Sequence, residues 1–179
     1  MLHKEYPAKV KIFFGFIFQD ESLFEEAAAE IVAGYGPIDT QSLLMDFTFT
    51  DYYGDEMGSG LKRKFVSLEE LFSPEDIVAI KDFAIDLERR YAVEGKRRIN
   101  IDPGYLTLAK VVLSTTKDFA HRIYLRDGIF AEVTLLYKDK KFVSLPWTFP
   151  DYKTSQYQTY FYTLRDTYKR QAGDTSPGK

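Results

Sequence analysis

VKIFFGFIF, residues 10–18, is apolar on both of its alternating faces: Val10, Ile12, Phe14, Phe16 and Phe18 on one, Phe13, Gly15 and Ile17 on the other. A strand with two greasy faces is a central strand, covered on both sides. Working outward, Asp20 offers an N-cap for a helix whose Leu23, Phe24, Ala27, Ala28 and Ile31 form one apolar stripe, ended by GYGP at 34–37. Residues 42–50 read as a second strand. A polar, glycine-bearing loop, DYYGDEMGSG (51–60), follows, and residues 61–68 read as a third strand.

The clearest start signal comes next. Ser73 is an N-cap, Pro74 takes the first helical position and Asp76 stands at the capping-box place. Ile77, Ile80, Ala84, Leu87 and Tyr91 keep helical spacing to about Glu94, and RRINI (97–101) makes a short fourth strand. The order β-α-β-β-α-β is that of the ferredoxin-like split arrangement.

DPGYLTLAKVVLSTTKD (102–118) carries conflicting signals. Asp102 as cap and Pro103 behind it favour a helix, whereas the β-branched content favours a strand; we read a helix over 104–115. HRIYLRDGIFAEVTLLY (121–137) holds Asp127-Gly128, a strong two-residue hairpin signal. LLYKDKKFVSL (135–145) turns again at Asp139-Lys140, and a final helix over 155–171 buries Tyr157, Tyr160, Phe161, Leu164 and Tyr168. The expectation is an α+β fold: a ferredoxin-like βαββαβ half, extended by an antiparallel β-meander and a C-terminal helix. It forms a single domain over 1–171, with 172–179 a disordered tail.

Composition narrows the function classes. The 179 residues carry a net charge of −3, so no basic surplus marks a general nucleic-acid binder. Aromatics reach 16%, with 13 Tyr and 15 Phe. Cysteine is absent, which removes disulfides, thiolate chemistry and cysteine-ligated metal sites. The apolar run near the start is too short and lacks the small-residue cleavage site of a signal peptide, and no stretch approaches the ~20 apolar residues of a membrane helix. We expect a soluble, cytoplasmic protein without membrane association, with homo-oligomerisation left open.

The hairpin turns allow registers to be computed. A two-residue turn at Asp127-Gly128 sets Ile123 opposite Glu132 and His121 opposite Thr134, and the second turn sets Glu132 opposite Trp147. One face of the meander then carries His121, Ile123, Leu125, Phe130, Glu132, Thr134, Leu136, Val143, Leu145 and Trp147. Glu132 and His121 are its ionisable members, diagonal neighbours suited to general acid–base work or to metal ligation, or else to a structural hydrogen bond at the sheet margin. Trp147 would be an apolar wall. Arg122, Tyr124 and Arg126 fall on the opposite face, where arginine beside tyrosine suits phosphate contact or simply solvent.

Two further stretches are candidates for anion binding. GDEMGSGLKRK (54–64) sets glycines ahead of Lys62, Arg63 and Lys64, a possible phosphate cradle or a flexible turn, without Walker A spacing. NIDPGY (100–105) places Asn100 and Asp102 at a strand end, with Arg97, Lys110 and Lys117 near in sequence. Two histidines, His3 and His121, exclude a multi-histidine zinc centre. An all-oxygen Mg²⁺ or Mn²⁺ site from Asp51, Asp102, Glu132 or Asp151 stays open, though we assign no metal and the cofactor is unknown. No H-E-x-x-H or G-x-S-x-G spacing is present. TFTDYY (48–53) and TFPDYK (148–153) echo each other at a level expected by chance, yet two walls of one site remain a live reading.

TDYYGDEMGSGLKRKF, INIDPGYLTLAKVVLSTTKDFAHRIYL, GIFAEVTLLY and PWTFPDY together resemble the prokaryotic family named domain of unknown function 4416, over about Val10 to Lys169. The resemblance implies a stand-alone, single-domain, cytoplasmic protein and supplies no reaction. A GTP-binding label attached to similar proteins finds no support here, since TTKD (115–118) is not the guanine-reading N-K-x-D. The leading expectation is a small-molecule-binding protein or enzyme acting on an anionic, phosphorylated or nucleotide-like, ligand. The alternative is a non-catalytic interaction or structural module.

Overall fold

The structure, a computed structural model, describes residues 4–173. His3 and 174–179 of the expected tail lie outside the described residues, whereas Ala172 and Gly173 belong to the last helix.

Strand β1 (Val10–Phe18) is buried along its whole length, between β4 (Lys62–Phe72) and β5 (Ile99–Leu106), antiparallel to both. Lys11, on this otherwise apolar strand, reaches across β4 to pair with Asp39 of β2 (Ile38–Gln41). Helix α1 (Glu21–Tyr35) is capped by Asp20, which accepts the Ser22 N–H at 2.9 Å, and buries its expected stripe. The second strand is shorter and earlier than expected. Pairing with β4 occurs over β2 and again over the two-residue β3 (Met45–Asp46), and the chain then leaves the sheet. The loop before β4 folds into one helical turn, α2 (Gly54–Met57).

At Ser73 the backbone N–H donates to the Asp76 carboxylate at 2.9 Å, and a 3₁₀ turn (Pro74–Asp76) leads into α3 (Ile77–Tyr91). Helix α3 stops at Tyr91, short of Glu94, which adopts positive φ in the turn that follows.

The helix expected over 104–115 is absent. Strand β5 runs through Asp102-Pro103-Gly104 to Leu106, turns, and returns as β6 (Lys110–Thr115). Local packing at Gly104 explains why: a Cβ there would stand 2.4 Å from the Val112 carbonyl oxygen and 2.6 Å from the Phe13 ring. Such close backbone approach is a strand use of glycine, and the β-branched run after it serves the sheet.

Strands β7 (Ile123–Arg126), β8 (Ile129–Lys138) and β9 (Lys141–Ser144) complete the meander. Both turns fall where expected, with positive φ at Asp127, Gly128, Asp139 and Lys140. The register does not hold beyond the first turn. A bulge between Tyr124 and Arg126 sets Ile123 opposite Ala131 instead of Glu132, and His121 precedes the strand. A second irregularity, opposite Val111/Val112, puts Leu135 in the core and leaves Leu136 outside, which breaks the single face computed above.

The sheet order is β2-β4-β1-β5-β6-β8-β7, with β3 also on β4 and β9 on β8, and every pair is antiparallel. The fold class is α+β: an open antiparallel sheet with helices packed on it. Helices α1 and α3 cover one face against Ile12, Phe14, Phe16, Val66 and Ile101. On the other face α4 (Ser155–Gly173) buries its five expected residues against Phe13, Phe65, Leu106 and Leu135. No helix among the described residues is long and apolar enough to cross a membrane.

Candidate functional site

Strands β5 and β6 are paired only from Leu106↔Val111 to Gly104↔Leu113. Pro103 has no N–H to extend the ladder, and its carbonyl takes the Ser114 hydroxyl at 2.7 Å instead. Before Gly104, β5 stays with β1; after Leu113, β6 stays with β8. The bare edge of β5 is met by side chains of α3. Ile101 N–H donates to Glu88 Oε1 at 2.6 Å, and Lys81 Nζ donates to Ile101 O at 3.3 Å and to Asp102 at 3.4 Å.

A cleft of ≈ 580 Å³ opens at this divergence. Both TFxDY stretches wall it, Phe49, Thr50, Tyr52 and Tyr53 from one and Phe149 to Tyr152 from the other. Asp151 is buried in it, whereas Asp51 is exposed, accepts the Gly54 N–H at 2.9 Å through its backbone carbonyl and does not line it.

Arg63, 3% exposed, belongs to the cleft lining. Its Nε donates to the Tyr157 hydroxyl at 2.8 Å and its Nη2 to Asp151 at 3.0 Å. The rings of Phe47, Phe65 and Tyr157 stand 5.2, 5.3 and 5.4 Å from its guanidinium carbon. Gly15 gives it room, since a Cβ there would lie 2.9 Å from Arg63 Nη1 and from the Phe65 ring. Nη1 is buried and has no hydrogen-bond acceptor among the described residues.

A polar chain runs along the β5 side. Arg97 grips Glu56 through Nε at 2.9 Å and Nη2 at 2.8 Å, and its Nη1 donates to Asn100 Oδ1 at 2.9 Å. Asn100 Nδ2 then donates to Asp102 at 2.7 Å. Burial pushes the Glu88 carboxyl up to about 7, against the opposing effect of Lys81, and burial likewise holds the Tyr53 phenol well above its ordinary value. At the β8 side Glu132, 1% exposed, accepts from Arg122 Nε at 2.9 Å and from Thr134 Oγ1 at 3.3 Å, and His121 Nε2 lies 2.9 Å from it. The His121 ring stacks on Trp147 at 4.9 Å and 11°, and Trp147 Nε1 donates to Val133 O at 2.8 Å.

Of the residues singled out in the sequence, Glu132, Arg63, Asn100, Asp102, Arg122, Arg97, Lys117 and Asp151 share this cleft. His121 meets Glu132 and is itself stacked on Trp147, and neither of the two lines the cleft. Lys62 is elsewhere, on the surface with Asp46 at 2.6 Å. Arg122 is on the same side as Glu132, not the opposite one, because β7 starts only at Ile123 and a turn closed by Arg122 N–H on Phe119 O swings it round. Among the described residues no three His, Asp or Glu side chains are grouped to hold a metal ion.

Lys81 and Glu88 were missed. Lys81 and Glu88 are seven apart on the apolar stripe of α3, beside Ile77, Ala84 and Leu87, and a buried charge on such a stripe was the available signal. Lys117 Nζ donates to the Tyr52 hydroxyl at 3.2 Å, lies 4.7 Å over its ring, and makes no ion pair among the described residues.

An α+β protein with a polar cleft at a split in its antiparallel sheet is thus the class that fold and site define. The chain belongs to the family described as domain of unknown function 4416, whose model matches residues 8–168. No curated protein and no solved structure matches it.

Proposed function

We propose that the protein binds, or acts as an enzyme on, a small anionic ligand of phosphorylated or nucleotide-like character, held in the cleft between β5 and β6. The observation that carries this reading is Arg63: a buried guanidinium in the cleft lining with one nitrogen, Nη1, lacking an acceptor. A buried donor left unpaired costs about 1–3 kcal/mol, a cost that a ligand oxygen reaching it would remove. Lys117 adds a cation at the cleft that pairs with no carboxylate among the described residues, and Phe49, Tyr52 and Phe149 offer rings for a planar group.

The test is a thermal-shift panel of inorganic phosphate, mononucleotides and nucleosides on the wild type and on Arg63→Lys and Lys117→Ala. We expect phosphate-bearing compounds to raise Tm by several degrees, nucleosides to do little, and both variants to blunt the effect. Lysine keeps the charge beside Asp151 but has no second nitrogen to offer. A panel that stabilises nothing, or that acts equally on all three proteins, sinks the reading.

A second reading, a protein-interaction module that includes self-association, draws on the sheet edge at β7. There Ile123 is 69% exposed and Tyr124 58%, with Phe119 close by at 65%. The interleaved order β2-β4-β1-β5 supports taking the N-terminal half as ferredoxin-like, and the lack of cysteine fits a reducing, cytoplasmic setting in a prokaryote.

A further inference from the structure

Four carboxylates line the cleft, and three of them are already committed. Asp151 is held by Arg63, Asp102 by Lys81 and Asn100, and Glu132 by Arg122 and His121. Glu88 differs. Its Oε1 accepts the Ile101 N–H, while Oε2 has no hydrogen-bond donor among the described residues; its ion pair with Arg97 Nη1 is 3.9 Å long. The groups around it are Lys81 on its own helix, Asp102 on β5, Arg97 ahead of β5 and Tyr53 at the start of the α2 segment, Arg97 being itself held by Glu56.

An anion entering beside an ionised Glu88 would set two negative charges together in a part-buried site. Placing a proton on one of them replaces that repulsion with a hydrogen bond. We propose that Glu88 is a ligand-binding residue that works as a neutral acid: its Oε2 carries a proton taken from solvent and donates it in a hydrogen bond to an oxyanion, so that anion and proton enter together. No other bond forms or breaks. This rests on reading the cleft as an anion site and names the residue that gives that site its chemistry: sulfate-, phosphate- or carboxylate-type oxygens, which accept such a bond, are favoured over halides. Burial already keeps the free carboxyl near neutrality, so the proton is available at little cost.

Sulfate is the probe, because it does not itself titrate near neutral pH. Titration calorimetry of the full chain in buffers of different ionisation heat counts the protons taken up. At about pH 8 we expect close to one proton per sulfate, and above about pH 7 an affinity that falls nearly tenfold per pH unit. Glu88→Gln, whose amide N–H donates permanently, is expected to bind sulfate with a flat pH profile and no proton uptake. In the wild type, an infrared difference spectrum on adding sulfate gains a protonated-carboxyl band, a readout independent of how the variant folds.

Sulfate binding without proton uptake overturns the role of Glu88 and leaves the anion reading of the cleft standing. Uptake that persists in Glu88→Gln assigns the proton elsewhere and overturns it as well. No sulfate binding at any pH removes both.

Discussion

At the scale of single residues, Glu88 and Gly15 show how a buried polar site is held. The Glu88 carboxyl is raised from 4.5 to about 7 by burial. Between those values the folded chain binds more protons than the unfolded one, so stability falls as pH rises through this window and the loss is complete above about pH 7. The loss is on the order of 3 kcal/mol. Glu88→Gln removes it: compared with wild type, the variant gains in urea midpoint at pH 8 and not at pH 5. At Gly15 an added methyl meets Arg63 Nη1 and the Phe65 ring, so Gly15→Ala costs about 1–3 kcal/mol in urea unfolding. The sequence exposed these residues unevenly. Glu132 with His121 was legible because a hairpin turn puts near neighbours on adjacent strands, and their contact survives a one-residue bulge through long side chains. Glu88 was not, because its helix was read through its apolar positions, which are the ones it stands among.

Among the elements, the β5–β6 pair decides where the cleft opens. The same Asp102-Pro103-Gly104 that mimics a helix start ends a ladder, because proline ends pairing to one neighbour while a glycine lets the next strand approach. Local signals alone do not separate these uses; the partner strand does, and it lies across a turn in a segment whose pattern was mixed. Gly104→Ala forces a methyl to 2.4 Å from a backbone oxygen, which no rotamer change relieves. We expect a loss of more than about 3 kcal/mol, read as a collapse of the urea midpoint. Ser114→Ala is milder at about 1 kcal/mol, since it removes the hydroxyl on Pro103 O and leaves that carbonyl beside the cleft. The TFxDY stretches belong to this scale too. Their likeness is a poor guide to ancestry, yet each follows an exit from the sheet, and residues of both line the one cleft.

For the whole molecule, the consequence is cooperativity. The N-terminal half was legible as an order of elements, and α4 as a stripe of five residues, but the junction of the meander with that half was hidden by the helix expected at 104–115. In the structure one sheet carries two cores back to back, with Phe14 facing α1 and α3 while its neighbour Phe13 faces α4. Phe161 sits at the centre of the second core, its ring 5.1 Å from Phe13, 5.4 Å from Phe65 and 5.8 Å from Tyr152. Phe161→Ala removes a fully buried ring and costs about 3–5 kcal/mol. Since β1 is an interior strand of both cores, loosening one loosens the other. Near-ultraviolet dichroism, which follows the aromatic packing, and far-ultraviolet dichroism, which follows the backbone, are expected to trace one coincident transition in wild type and variant alike. A variant whose near-ultraviolet signal melts first, leaving the sheet with α1 and α3 intact, would show instead that the half built on α1 and α3 stands without α4.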